Sequence, residues 1–206
     1  AFSFMTPDDL QGICWDGVTH VHTTGIPLAV SESCRQTVVA LMKEARRRGV
    51  SVSFDTNLRP MLWPDTETMA SVINDAAQYA DIVMPGLSEG KILTGLADEK
   101  AVAGYYLERG AKLVVIKLGG SSGTYVADRE GGQYVPSYRV DHVVDTVGAG
   151  DGFAVGFTSA WLEGLSMEEA ARRGAAVGAM VIQVAGDNEG LPTREQLAAF
   201  QNEQAE

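Results

Sequence analysis

The sequence is poor in cysteine, histidine and basic residues, and each shortage excludes a class of protein. Two Cys and 3 His in 206 residues are too few for a disulfide-stabilised secreted scaffold. Cys14 and Cys34 lack metal-ligand spacing, so we expect reduced thiols in a cytoplasmic protein. With 16 Lys and Arg against 27 Asp and Glu, the net charge is −11 and repels polyanions, so we expect neither a nucleic-acid nor a membrane partner. No apolar run reaches the ~18 residues of a membrane span.

What the sequence does contain is the composition of an ordinary globular domain, 45% hydrophobic and 21% charged. Its apolar patterning alternates between strand and helix periods. Strands are expected at 18–24, 50–55, 81–84 and 112–118, with a hairpin at 124–127 and 133–136. Helices are expected at 31–48, 66–79, 101–109, 152–163, 167–184 and 193–200. This alternation predicts an α/β fold with a parallel sheet covered on both faces, and ligands at the carboxyl ends of the strands.

Residues 145–151, DTVGAGD, describe a tight loop that opens into a helix. Backbone N–H groups of Gly148, Ala149 and Gly150 can approach a phosphate closely, and the helix N-terminus adds its own unpaired N–H groups. Asp151 would then take a proton from a substrate hydroxyl during phosphoryl transfer. The alternative is that Asp151 only caps a helix behind a glycine turn.

Three further segments follow expected strands or helices. In 55–63, DTNLRPMLW, Arg59 offers a planar fork for a carboxylate or phosphate, or else a surface ion pair. In 117–123, KLGGSSG, an expected strand that runs into several glycines is typical of a hairpin turn. In 186–190, GDNEG, Gly186 is expected to end a helix, with Asp187 a solvated residue of the turn. His20 and His22 lie on one face of an expected strand and are interpreted as partly buried polar residues rather than metal ligands.

The DTxGAGD segment resembles the C-terminal signature of the ribokinase-like (PfkB) carbohydrate kinases, and the whole chain is most similar to their 2-keto-3-deoxygluconate kinases. The resemblance implies a largely parallel, doubly wound sheet flanked by helices. Residues 1–206 would be the C-terminal two thirds of one such α/β domain. We therefore expect the N-terminal part and the small β lid of the family fold to be absent from this chain.

The same resemblance implies roles for individual residues. Asp151 would be the general base, beside an anion hole formed by Gly148, Ala149 and Gly150. Arg59 would hold the substrate carboxylate and Asp187 would also touch substrate. The ATP-binding residues would be Asn57, Lys117, Gly119, Gly120, Ser122, Gly123, Gly148 and Gly150. Glu89 would act on Mg²⁺ through water, although the family's N-x-x-E motif is Gly-Leu-Ser-Glu at 86–89 here; the alternative is a charge that favours a helix N-terminus.

The implied activity is ATP- and Mg²⁺-dependent phosphorylation of a primary hydroxyl of a small sugar acid, with a monovalent cation such as K⁺ as a further candidate cofactor. Homo-oligomer formation through the missing lid is compatible with it. Two alternatives stay open. One is a neutral-sugar kinase of the fructokinase or ribokinase type. The other is a nucleotide- or sugar-binding fragment without turnover.

Overall fold

Several helices begin at a short polar side chain that caps them. In the computed structural model, which describes residues 2–186 and 188–204, the side chains of Ser31, Asp65 and Asp98 each accept a hydrogen bond from the backbone N–H three residues later. Ser166 and Thr193 do the same and add the reciprocal bond of a capping box. Each cap contributes about 1 kcal/mol to helix stability. The sequence therefore sets these five helix starts locally.

The chain divides into two compact units. The first contains the residues up to Ile116 together with Ala127–Gly131, and the second contains Lys117–Val126 and the residues from Gly132 onward.

The first unit is built on four parallel strands in chain order. They are β1 (His20–Thr24), β2 (Ser51–Asp55), β3 (Ile82–Val83) and β4 (Leu113–Lys117, whose last residue belongs to the second unit). The helices of this unit are α1 (Ile26–Val30), α2 (Glu32–Arg47), α3 (Thr66–Ala77), α4 (Leu87–Thr94) and α5 (Glu99–Glu108). Val52 and Phe54 of β2 are fully buried, as expected for a central strand of a parallel sheet.

The second unit contains the remaining strands and three helices. They are β5 (Thr124–Ala127, whose last residue belongs to the first unit), β6 (Gly132–Val135), α6 (Ala149–Leu162), α7 (Met167–Val181) and α8 (Arg194–Glu203). Helices α6 and α7 form the core of this unit, with Phe157 and Val181 fully buried. No helix within the described residues has the length and apolar character needed to span a membrane.

The predicted α/β class with a parallel sheet flanked by helices is confirmed. Most expected elements are present with ends shifted by up to three residues, such as α6, which starts at Ala149 rather than at residue 152. Two helices were missed, α1 and α4. Helix α1 is five residues long and contains a proline, so it shows no helical period. Helix α4 packs through Gly90, where a Cβ would lie 2.6 Å from Val102 Cγ1. A glycine does not count as an apolar residue in a periodic pattern, so the buried face of α4 was not recognised.

Asn74 joins three helices of the first unit, and its loss should be costly. Its Nδ2 donates to the Leu93 carbonyl at 2.7 Å, and its Oδ1 accepts from the hydroxyl of Tyr106 at 3.0 Å. The hydroxyl of Tyr106 is protonated at neutral pH, and burial raises its pKa further. We expect Asn74→Ala to lower the free energy of unfolding by about 1–3 kcal/mol, because a buried donor and an acceptor lose their partner.

Urea denaturation tests this prediction, with Asn202→Ala as the control because Asn202 is exposed. The control should change the free energy of unfolding by no more than about 0.5 kcal/mol. Adding Tyr106→Phe to Asn74→Ala should recover part of the loss. Equal stability of the Asn74 and Asn202 variants would contradict the prediction.

Candidate active site

The loop before α6 leads into backbone N–H groups that precede the hydrogen-bonded ladder of this helix. Gly148 precedes the helix in the left-handed region, with φ 77° and ψ −11°. Asp145 Oδ1 accepts from the Val147 N–H at 3.0 Å and closes the turn. The first regular helical bond runs from Gly152 N–H to the Gly148 carbonyl at 2.8 Å, so the Gly150 and Asp151 amides precede the hydrogen-bonded ladder. These amides and the positive end of the helix dipole form a cradle for an anion.

A cavity of about 750 Å³ lies beside this loop, entirely within the second unit. Ala149 and Gly150 line it, and Phe153 and Ile182 contribute apolar surface. The residues predicted from the 117–123 segment that also line it are Lys117, Gly119, Gly120 and Gly123. Ligand cavities typically have volumes of about 300–1,000 Å³ and mostly apolar walls. The cavity therefore combines apolar walls with the backbone amides at the start of α6.

Lys117 brings a positive charge to the loop. It is the last residue of β4, and a Cβ built on Gly150 would lie 3.8 Å from its Nζ. The resemblance implied that Lys117 and the glycines of this segment bind ATP, with contacts to the phosphates through the backbone. The structure adds the Lys117 ammonium, which lies next to the amide cradle. An ammonium and two backbone amides can together stabilise charge that develops on a phosphoryl group.

The 117–123 segment is both a turn and a wall of the cavity. Leu118 N–H donates to the Gly123 carbonyl at 3.0 Å, and Ser122 N–H donates to the Gly119 carbonyl at 3.1 Å. Gly123 has φ 79°, and a Cβ there would lie 2.2 Å from the Val135 carbonyl oxygen. Only glycine fits this position. The turn expected from the sequence is therefore present, and the phosphate contact implied by the resemblance stays a prediction.

Asp151 lies in the first turn of α6 with its carboxylate exposed. Its position depends on how closely α6 packs against α7. A Cβ on Gly156 would lie 2.8 Å from the Arg173 carbonyl oxygen, and one on Gly174 would lie 2.9 Å from the Phe153 carbonyl oxygen. A Cβ on Gly178 would lie 3.1 Å from the carbonyl oxygen of Ala149, the first residue of α6. The two helices therefore meet nearly backbone to backbone.

Sequence reasoning missed this glycine contact. It assigned the glycines of 148–150 to the anion loop and gave no role to the others in α6 and α7. The available signal was spacing, because Gly152 and Gly156 on one helix, and Gly174 and Gly178 on the next, are each four residues apart and share a helix face.

In the first unit, the loop after β2 carries Asn57 and Arg59. Asn57 has φ 36°, and it is the only non-glycine residue with positive φ within the described part of the chain. Its N–H donates to Asp55 Oδ1 at 3.2 Å. Arg59 Nη1 donates to Asn57 Oδ1 and to the Leu58 carbonyl, and its side chain is exposed. The structure thus pairs two of the predicted site residues and leaves the guanidinium open to solvent.

Glu89, in the first turn of α4, lies close to this loop. Its carboxylate accepts three hydrogen bonds, from Thr56 Oγ1, from the Leu58 N–H and from the Gly86 N–H. Among the described residues there is no group of three or more His, Cys, Asp or Glu side chains placed to hold a metal. Mg²⁺ is commonly held by one or two carboxylates together with substrate phosphates, so a protein-only cluster is not required. The water-mediated role of Glu89 stays a prediction.

The predicted site residues are divided between the two units. Asn57, Arg59 and Glu89 belong to the first unit, and the residues of 117–123 and 148–151 belong to the second. Asp187 lies outside the described residues. His20 and His22 bond to the hydroxyls of Ser51 and Ser53 on the neighbouring strand, as expected for partly buried polar residues. Burial, with a smaller contribution from His22, lowers the pKa of His20.

Comparison with known proteins gives a consistent result. Residues 15–194 match the family described as pfkB family carbohydrate kinase. The 2-dehydro-3-deoxygluconokinase of Bacillus subtilis (strain 168) is 49% identical over 181 residues, which are 88% of this chain and 56% of the relative. Among solved structures, the PfkB protein from Polaromonas sp. JS666 is 43% identical with a TM-score of 0.83, over 96% of this chain and 62% of that one.

A third similar protein is the fructokinase from Xylella fastidiosa, solved with bound ATP. It is 26% identical with a TM-score of 0.89, over 98% of this chain and 67% of that one. The chain spans little more than half the length of the curated relative described above.

Proposed function

Because the chain belongs to the pfkB family of carbohydrate kinases, we propose that it transfers the terminal phosphoryl group of ATP to a primary hydroxyl of a small sugar acid of the 2-keto-3-deoxygluconate type. The observation that carries this proposal is the cavity of about 750 Å³ bounded by Lys117 and Gly150. It combines apolar surface with an anion cradle. Two observations favour a sugar-acid substrate. The relative that is 49% identical is a 2-dehydro-3-deoxygluconokinase. The side chain of Arg59 is exposed, so its guanidinium is accessible to a substrate carboxylate.

The proposed chemistry uses residues of the second unit. The oxygen of the substrate hydroxyl attacks the terminal phosphorus of ATP, and ADP leaves. Asp151 accepts the proton of this hydroxyl. The Gly150 and Asp151 amides and the Lys117 ammonium stabilise the charge on the transferred group. When bound, Mg²⁺ supplies further neutralisation of the phosphate charge. A dependence of the rate on K⁺ would be tested in the same assay.

Arg59 is proposed to select the acid. A guanidinium fork binds a carboxylate through two charge-assisted hydrogen bonds, and a neutral sugar has no such group. We expect Arg59→Ala to raise KM for 2-keto-3-deoxygluconate roughly 10–100-fold, as the loss of a charged hydrogen bond of ~1.5–3 kcal/mol implies. KM for a neutral hexose should change little. Arg59→Lys should recover little of the loss, because an ammonium lacks the planar fork.

ADP release measured over a panel of sugar acids and neutral sugars tests this prediction. Arg172→Ala is the matched control, because Arg172 is a surface arginine that pairs with Glu168 four residues earlier. It should leave every KM unchanged. Equal losses for acids and neutral sugars would place Arg59 on the nucleotide instead. Wild-type turnover of neutral sugars only would replace the proposal with a fructokinase- or ribokinase-type activity.

A further inference from the structure

Glu89 holds together two loops of the first unit. Its Oε2 accepts from Thr56 Oγ1 at 2.8 Å and from the Gly86 N–H at 2.7 Å, and its Oε1 accepts from the Leu58 N–H at 2.7 Å. Gly86 precedes α4, and the other two donors follow β2. Both carboxylate oxygens are therefore already used by the protein. We name this set of three hydrogen bonds the Glu89 clasp.

The clasp encloses the strained residue of the loop. Thr56 is fully buried and Leu58 is 8% exposed, so neither of their donors has ready access to water. Between them lies Asn57, with φ 36°. A non-glycine residue at positive φ costs of the order of 1–3 kcal/mol and persists only where its surroundings hold it. The two oxygens of Glu89 restrain the residues on either side of Asn57 and so supply that restraint.

The conformation of Asn57 in turn places Arg59. Arg59 Nη1 donates to the Asn57 side-chain oxygen and to the Leu58 carbonyl, the residue whose N–H is held by Glu89. A shift of residues 56–58 would therefore move the guanidinium. Glu89 is thus connected to Arg59 in two steps. Glu89 binds the N–H of Leu58, and Arg59 binds the carbonyl of Leu58 and the side chain of the adjacent Asn57.

The absence of a side chain at Gly86 leaves space for the Glu89 carboxylate. A Cβ on Gly86 would lie 3.3 Å from Glu89 Oε2, closer than most Cβ contacts. A larger residue there, such as the Asn of the N-x-x-E motif, would press on the oxygen that binds Gly86 N–H and Thr56. In this chain the Glu89 carboxylate folds back over Gly86 and accepts its N–H.

We propose that Glu89 is a positioning residue for the substrate, which sets the 56–59 loop and thereby directs Arg59 at the carboxylate of the sugar acid. This inference rests on the proposed function. It differs from the metal role in its consequence, because it links Glu89 to the affinity for the sugar acid rather than to the requirement for Mg²⁺.

The test compares Glu89→Gln and Thr56→Val with the wild type by hydrogen–deuterium exchange and by steady-state kinetics. In Glu89→Gln, the side-chain NH2 would replace one carboxylate oxygen and would face at least one of the three donors, so that hydrogen bond is lost. Glutamine has nearly the same size as glutamate, so the packing around residue 89 is kept. We expect amide exchange in 56–59 to accelerate by roughly tenfold or more as this loop opens locally. KM for the sugar acid should rise roughly 5–30-fold, with kcat and the Mg²⁺ activation constant nearly unchanged. Thr56→Val should act in the same direction and more weakly.

Glu169→Gln is the matched control. Glu169 also occupies the third position of a helix and accepts from the N–H of the capping residue, Ser166, and its side-chain hydrogen bonds within the described residues are to Ser166 alone. It should change neither KM nor exchange in 56–59. Unchanged exchange in Glu89→Gln would overturn the clasp, and a raised Mg²⁺ activation constant with an unchanged KM would overturn the positioning role in favour of a metal role. If the wild type phosphorylated no sugar acid, the proposed function would fail, and exchange would still show whether Glu89 holds the loop.

Discussion

Replacing Asp151 by Asn should lower kcat by roughly 10²–10⁴, the usual range for loss of a general base, while ATP binds nearly as before. Asp151 is exposed in the first turn of α6, next to the amide cradle. Asn preserves its shape but cannot accept the hydroxyl proton. Because the substitution removes a negative charge next to the anion site, it gives no electrostatic reason for weaker ATP binding. Calorimetric titration with ATP and single-turnover ADP release measure the two effects separately.

Asp75→Asn serves as the control, since Asp75 is an exposed helical aspartate in the first unit. It should leave both measurements unchanged. If Asp151→Asn turned over at a near-normal rate, Asp151 would be only a helix-capping charge. Equal loss of ATP affinity and kcat would instead indicate that the loop itself had collapsed.

Gly25→Ala should produce the largest loss of stability among single-methyl additions in the first unit. Gly25 follows β1, and its N–H donates to the Asp55 carbonyl at 2.9 Å. A Cβ there would lie 2.0 Å from the Thr56 carbonyl oxygen, a backbone atom that cannot rotate away. Either the end of β1 or the 55–59 loop must move. We expect a loss of about 1–3 kcal/mol or more in the free energy of unfolding, together with a raised KM for the sugar acid.

Urea denaturation with Gly104→Ala as the control tests this expectation. Gly104 lies inside α5, and nothing is within 4 Å of the position its Cβ would take. In a helix interior, Ala is about 0.5–1 kcal/mol more favourable than Gly. The two glycine-to-alanine changes should therefore have opposite signs. Stabilisation by Gly25→Ala would show that β1 and the loop can separate without cost.

The sequence determined those features that depend on neighbouring residues. Alternation of strand and helix periods was sufficient for the α/β class and the parallel sheet. Capping residues such as Ser31 and Asp65 were sufficient for helix starts, and the two glycines of DTVGAGD for a loop that opens into a helix. In each case the deciding pattern can be read from residues close in sequence: a capping side chain, a glycine that tolerates positive φ, or the periodic spacing of the residues that bury one face.

Only the tertiary structure decided which distant residues meet. The Lys117 ammonium lies near Gly150, and Gly156 closely approaches the backbone of Gly174. Glu89 accepts from Thr56 and Leu58, which lie more than 30 residues earlier in the chain. The sequence marks a glycine and a glutamate but not the atom each will face. That choice depends on how whole elements pack, because an excluded Cβ or a hydrogen bond between loops depends on distances of a few tenths of an ångström that no local pattern encodes.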